Sequence, residues 1–416
     1  MGWVPVSEHG INATAPLHTV PVMSVSGSTL YAAGYSSSSD SGAELWKASV
    51  ADEGWTRAAS IPMLQRPLSM AVHGGALYIG GYDNTLHSML VRITLDDAAD
   101  VMILPLPDVG IGVRSLLSME SYLFLTIGGR IWRTTRADVG GAWEEIAHEI
   151  GRGRRHVHEI VLARGWPAGE MLVGTARENP GGAGVPGTGA EVWRGSDYGS
   201  RWEQIAADGF GNPNTGAVPV LAVFRGVWGG VHVYASALNH PDGSTVYKRD
   251  ASGRWEQMPY GPALLAPAPI RSMASFGGRL FIGEGNNPSG AGLFYTVSGF
   301  GWGRDRYDFS GSAGELPLYL HALTPASAGR QFLYVAVEYL SGTGVKIWRR
   351  DLDLWDFVIS RSIGRCVWFC LSHGYGGLFY PQRDRSRQGL RKVRFTLPSS
   401  KFQQSSHSRE DGRKRP

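Results

Sequence analysis

An all-β chain of repeated four-stranded units is predicted by three observations on the 416-residue sequence. Glycine is abundant, at 57 residues, while charged residues make up only 18%, so the chain is punctuated by turns. Between the turns lie short apolar runs rich in β-branched and aromatic residues, which suit a pleated, half-buried surface. These runs recur in a fixed order roughly every 45 to 60 residues, the length of one propeller blade. With 43% hydrophobic residues the chain can bury a sizeable core.

Each unit reads as four elements. The first is an apolar run ending in glycine: "PVMSVSG", "LSMAVHGG", "VLAVFRG", "RSMASFGG". First strands are expected near Val22, Ser69, Leu116, Ile160, Val220, Ser272, Leu320 and Val367. The second opens on an apolar pair, as in Leu30-Tyr31, Leu77-Tyr78, Val233-Tyr234 and Leu333-Tyr334. A polar, Gly-rich loop leads to the third, often centred on tryptophan: "ELWKAS", "RIWRTT", "EVWRGS", "KIWRRD". The fourth follows a tight turn: "GWTRAA", "AWEEIA", "RWEQIA", "RWEQMP". Outer strands are expected near Trp55, Met102, Trp143, Trp202, Trp255, Tyr307 and Trp355. The eighth unit, Arg365 to Leu397, lacks one, and the N-terminal "GWVPVS" resembles it, with Trp3 at the tryptophan position. A blade shared between the two termini leaves no open sheet edge. The favoured reading is an eight-bladed β-propeller over 1–397, residues 2–7 completing the last blade, with seven blades as the alternative. Residues 398–416 read as a disordered basic tail.

The segment "AEVWRGSDYGSRWEQIAADGFGNPNTG" carries Asp197, Gly199 and Trp202 as D-x-G-x-x-W, repeated by Asp138, Gly140 and Trp143. Asp250, Ser252 and Trp255 form a degraded copy. These resemble the Asp-box (BNR) repeats of sialidases and related propellers, although Gly195 and Arg201 replace the serine and threonine of the fuller motif. The longer pattern, G-A-E-[IV]-W-R through D-G-x-x-W to G-F-G, is similar to repeats of uncharacterised bacterial propeller proteins. The role expected of the motif is structural: aspartate caps the turn, glycine takes positive φ and tryptophan packs between sheets.

Other signatures narrow the classes. No H-E-x-x-H, paired C-x-x-C, P-loop, dinucleotide fingerprint or G-x-S-x-G occurs, so no metal or cofactor is expected, structural calcium apart. No apolar run approaches a membrane span. Cys366 and Cys370, about 13 Å apart on a strand, are too distant for a mutual disulfide. Net charge is only +4, its excess gathered between Arg383 and Arg415, so nucleic acid is not an expected partner and a monomer is. "MGWVPVSEHG" has no secretory signal, so a cytoplasmic location is expected unless the sequence is a mature or truncated form.

The long polar loops, such as "RENPGGAGVPGTG" and "GEGNNPSGAG", share one face with the entrances of the inner strands, and binding residues concentrate on such loops. Candidates there are Arg66, Arg114, His158, Glu178, Asn179, Arg271, Glu284, Asn287, Tyr319, His321 and Glu338. Glu178, Glu284 and Glu338 occupy nearby positions in their blades. The expected function is recognition of a glycan, peptide or small anionic ligand at the central opening. Two alternatives stand. One, suggested by the sialidase resemblance, is a glycoside hydrolase or lyase using Arg66, Arg114 and Arg271 on an anionic sugar. The other is a protein-interaction scaffold. The sequence leaves open whether the chain is an enzyme.

Overall fold

The computed structural model describes residues 3–351, apart from 13–15, 37–41, 52–53, 96–99, 109, 111, 138–141, 148–149, 151–156, 166–168, 178–183, 185–186, 227–229, 240–241, 259–268, 286–289, 299–301, 306–308, 310–315, 328–329 and 340–343. The expected unit Arg365 to Leu397, the strand near Trp355, both cysteines and the basic end lie outside the described residues.

The described strands pair antiparallel throughout, and almost all fall into sets of four. After β1 (Val4–Pro5), blade one holds β2 (Thr19–Ser26), β3 (Thr29–Tyr35), β4 (Ala43–Ser49) and β5 (Thr56–Ile61). Blade two holds β6 (Arg66–His73), β7 (Ala76–Tyr82), β8 (Ser88–Thr94) and β9 (Val101–Leu104). Blade three holds β10 (Val113–Met119), β11 (Tyr122–Ile127), β12 (Arg130–Thr134) and β13 (Glu144–Glu145). Blade four holds β14 (Val157–Arg164), β15 (Met171–Arg177), β16 (Val192–Ser196) and β17 (Arg201–Ala206). A short β18 (Thr215–Ala217) pairs with both β15 and β20, fusing blade four to blade five. Blade five holds β19 (Leu221–Arg225), β20 (Val231–Asn239), β21 (Gly243–Arg249) and β22 (Trp255–Gln257). Blade six holds β23 (Ile270–Phe276), β24 (Arg279–Glu284), β25 (Leu293–Thr296) and β26 (Gly303–Arg304). Then come β27 (Pro317–Ser327), β28 (Gln331–Tyr339) and β29 (Val345–Asp351), and β1 supplies the fourth strand of that sheet.

The N-terminal strand therefore joins the last described blade. Val4 faces Arg349 and Pro5 faces Trp348 in antiparallel register, and the Val6 amide donates to the Ile347 carbonyl at 2.8 Å. This corrects the expected pairing with Arg365–Leu397: the free edge that β1 covers is that of β29. Each inner strand touches the next, from β2 through β6, β10, β14, β19, β23 and β27, and β27 touches β2. One apolar cluster joins Val6, Leu17 and Trp55 to Tyr334, Val345 and Ile347 across that closing junction.

Repeated sequence signals turn out to be repeated clasps between blades. The tryptophan that opens an outer strand donates its indole N–H to the previous outer strand or its exit: Trp55 to Val6 O at 2.8 Å, Trp202 to Ile146 O at 2.8 Å and Trp255 to Ile205 O at 2.6 Å. Trp3 does the same from the last described blade to blade six, reaching Asp305 at 3.1 Å. In the G-A-E-x-W segments the glutamate accepts from the tryptophan two residues on, Glu44 from Trp46 at 2.9 Å and Glu191 from Trp193 at 2.8 Å. A residue at or just before the start of the third strand donates to the segment entering the next blade, as Ala43 does to Leu64 O at 2.6 Å and Ala190 to Thr215 O at 2.7 Å. Inner-strand serines knit the centre: Ser69 Oγ donates to Val113 O at 3.0 Å and Ser272 Oγ to Leu320 O at 2.9 Å.

The turn at Asp197 is the corner that the sequence suggests. Asp197, Tyr198 and Gly199 all have positive φ, and a Cβ at Gly199 would press on Ile146 of blade three. Its aspartate departs from expectation, however. Asp197 pairs with exposed Arg201 at 2.6 Å, and no hydrogen bond from a turn amide to its carboxylate is seen among the described residues. The degraded copy performs the capping: Asp250 Oδ1 accepts from Ser252 Oγ at 2.6 Å and from the Arg254 amide at 2.9 Å. Those bonds hold its carboxyl below the ordinary range.

Candidate functional site

Inner strands start at the long-loop end, and most slip register there. Bulges fall between Pro67 and Ser69, Val113 and Ser115, Val157 and Glu159, Ile270 and Ser272, and Pro317 and Tyr319. A bulge adds one unpaired residue and re-aims its side chain, which is why bulges gather at rims and sites. Arg114, His158 and Arg271 are the extra residues of three of these bulges, so they hold equivalent positions in blades three, four and six. Arg66 instead precedes its bulge and pairs with Tyr82.

Four blades carry a linked run of polar and aromatic side chains. The Arg271 guanidinium stands 5.4 Å from the centre of the Tyr319 ring. Tyr319 lies 5.3 Å from the His321 ring, tilted by 37°. His321 Nε2 is 3.2 Å from Glu338 Oε2, and that same oxygen accepts from Thr19 Oγ1 of blade one at 2.9 Å. Thr19 pairs across the strand with Tyr35, and the Arg66 guanidinium of blade two stands 5.3 Å from the Tyr35 ring. Beside it His18 Nδ1 is 3.2 Å from Ser36 Oγ. Gly285 makes the run possible, because a Cβ there would collide with the Tyr319 ring.

Of the sequence candidates, Arg66, Arg271, Tyr319, His321 and Glu338 thus belong to one arc. Arg114 is half-buried on blade three, and His158 lies on β14. Glu178, Asn179 and Asn287 lie outside the described residues. Glu284 is only 1% exposed and sits opposite Ile270, whereas Glu338 sits opposite Tyr319 beyond the bulge. The two glutamates are one register step apart, and one step turns a side chain to the other face of a strand. Sequence reasoning passed over Thr19, Tyr35 and His18; aligning the entrances of the first strands, where Thr19 corresponds to Arg66, would have exposed them.

Chemically, the arc offers two guanidiniums stacked on tyrosines, an imidazole and a carboxylate bridged by hydrogen bonds. Guanidinium forks bind carboxylates and phosphates, and aromatic faces suit sugar rings or apolar side chains. Among the described residues, no group of three or more His, Cys, Asp or Glu is placed to hold a metal ion. Nor is any helix there long and apolar enough to cross a membrane.

Among the described residues, three cavities open at the other end. One of about 510 Å³ lies beneath the central opening, beside Val25, Phe276 and Gln331. One of about 480 Å³ lies between blades five and six beside His232 and Lys248, and burial lowers the proton affinity of both. The third, of about 160 Å³, lies between blades four and five.

No protein-family model matches the sequence, and no curated protein matches it. Among solved structures, the chain is similar to the WD40 β-propeller domain of Doa1, at 12% identity and a TM-score of 0.53, over 86% of this chain and 99% of that one. It is likewise similar to the WD40 repeats of RRP9, at 16% identity and a TM-score of 0.53, over 85% of this chain and 98% of that one. At such identities the likeness concerns the fold alone. With the sheet topology it establishes a β-propeller of four-stranded antiparallel blades whose N-terminal strand joins the last described blade.

Proposed function

We propose that the chain is a recognition propeller that binds an anionic glycan, peptide or small molecule at the long-loop end of its central opening. The observation that carries this reading is the arc from Arg271 through Tyr319, His321 and Glu338 to Thr19. Rigid strands from different blades present these groups together, which lowers the entropy cost of binding. A ring of seven blades is part of the proposal, supported by the circuit of inner strands that returns from β27 to β2. A glycan array together with carboxylate and phosphate ligands tests it. Arg271→Ala and Glu338→Gln are expected to weaken binding at least tenfold, and Asp197→Ala to leave it unchanged. Binding lost with Asp197→Ala and kept by the other two would overturn the reading, and turnover of a sialoside or uronide would replace it with hydrolysis.

A second reading, a scaffold for a protein partner, has its own support. Val101, Met102 and Ile103 are consecutive and exposed on β9, the outermost strand of blade two. Exposed apolar edge strands invite strand addition by another chain. Met102→Lys would abolish capture of such a partner while sparing ligand binding at the arc.

A further inference from the structure

The cleft between blades four and five is built differently from the rest of that end. Four charged residues line it, Glu170 and Arg194 from blade four and Arg249 and Asp250 from blade five. Leu172 and Val233 contribute to an apolar wall beside them. Arg194 is committed to its own blade, 2.6 Å from Glu203 and 3.9 Å from Glu170. Arg249 is not: its Nε is buried and has no hydrogen-bond partner. A buried donor left unpaired in a native fold signals a missing ligand or water. Glu170 complements it. Burial raises its carboxyl above the usual range, with the Arg194 and Arg249 charges opposing, so a cation beside it would be welcome. The space equals about five water volumes, and it is amphipathic.

We propose that this cleft binds a free α-amino acid with a small branched apolar side chain, as its zwitterion. The carboxylate bonds to Arg249, the ammonium sits against Glu170 and Asp250, and the side chain packs on the Leu172 and Val233 wall. Each part of the lining then has a counterpart, and neither a simple anion nor a simple amine provides that. The site is separate from the arc at the opposite end, and its fate is independent of that reading.

Titration calorimetry on the full chain tests it with three probes: L-leucine, 3-methylbutanoate, which lacks the ammonium, and 3-methylbutylamine, which lacks the carboxylate. Leucine is expected to bind, and each truncated probe to bind at least tenfold more weakly. R249M should abolish leucine binding. E170Q should weaken leucine at least tenfold yet leave 3-methylbutanoate no worse. Three results would overturn the proposal: silence with leucine up to ~10 mM, equal binding of leucine and 3-methylbutanoate, or full leucine affinity in R249M. The three-probe comparison on the unmodified chain stands even if a variant fails to fold.

Discussion

The junction between blades three and four and the junction between blades four and five begin from the same parts and end differently. Arg133 and Arg194 hold the same register position on their third strands, opposite Phe124 and Leu172, and each faces an acid on the outer strand, Glu144 and Glu203. Arg133 goes on to donate to Tyr198 O of the next blade at 2.7 Å, as Arg349 does across the closing junction to Ala51 O at 3.5 Å. Arg194 turns instead towards Glu170, and a cleft opens where the strut would lie. The same repeat position is thus a brace at one junction and the wall of a pocket at the next. The acid towards which Arg194 turns, Glu170, is supplied by the turn between β14 and β15 of its own blade.

The largest effect should come from the part both junctions share. Trp202→Ala and Trp255→Ala each remove a half-buried indole and its clasp, and each should cost about 3 kcal/mol in urea unfolding. Unequal costs would mean that the clasps are not equivalent. Next, the two arginines should part company. Arg133→Met should destabilise by about 1–2 kcal/mol, losing a bond to a part-buried carbonyl. Arg249→Met removes an unpaired donor together with a charge that favours the Glu170 carboxylate, and should change ligand-free stability by less than about 0.5 kcal/mol.

A smaller effect is a pH dependence. The Glu170 pKa is raised in the fold above its ordinary 4.5, so the folded state holds this proton more firmly than the unfolded one. Its stabilising contribution is full below pH 4.5 and is lost as pH rises through the folded value. Glu170→Gln should flatten that fall, as stability measured across pH 4–7 would reveal. The smallest change has the opposite sign. Asp250 titrates below its ordinary 3.8, so the contribution of its turn bonds is present above that pH and fades as pH falls through the lower, folded value. Asp250→Asn should remove only that acid-side loss, read by melting below pH 4.

Much of this was legible in the sequence, because strand spacing and tryptophan placement are direct outputs of packing. Trp55, Trp202 and Trp255 announce outer strands since each must reach the blade before it. The position of Trp3 identified β1 as an outer strand for the same reason. Its partner was not legible, because any third strand with a free edge would serve, and the structure pairs it with β29. Bulges hid the site. They shift register by a residue, so Glu284 and Glu338 look alike along the chain and face opposite ways across the sheet. Arg249 was invisible for a kindred reason: adjacent Lys248 faces the junction between blades five and six, and nothing local says which neighbour meets each cleft.

The strand shared between the termini also sets an order of events. Thr19 meets Glu338 across 319 residues, and Ser7 Oγ accepts from the Ile347 amide across 340. During synthesis at about 5–20 residues per second, blade one waits many seconds with Trp55 and Leu17 uncovered before β29 emerges to receive β1. The Thr19–Glu338 contact spans that last seam, so the arc is assembled only when the ring shuts. A chain stalled before Gln331 would therefore lack Glu338, and with it the contact that joins the two sides of the seam.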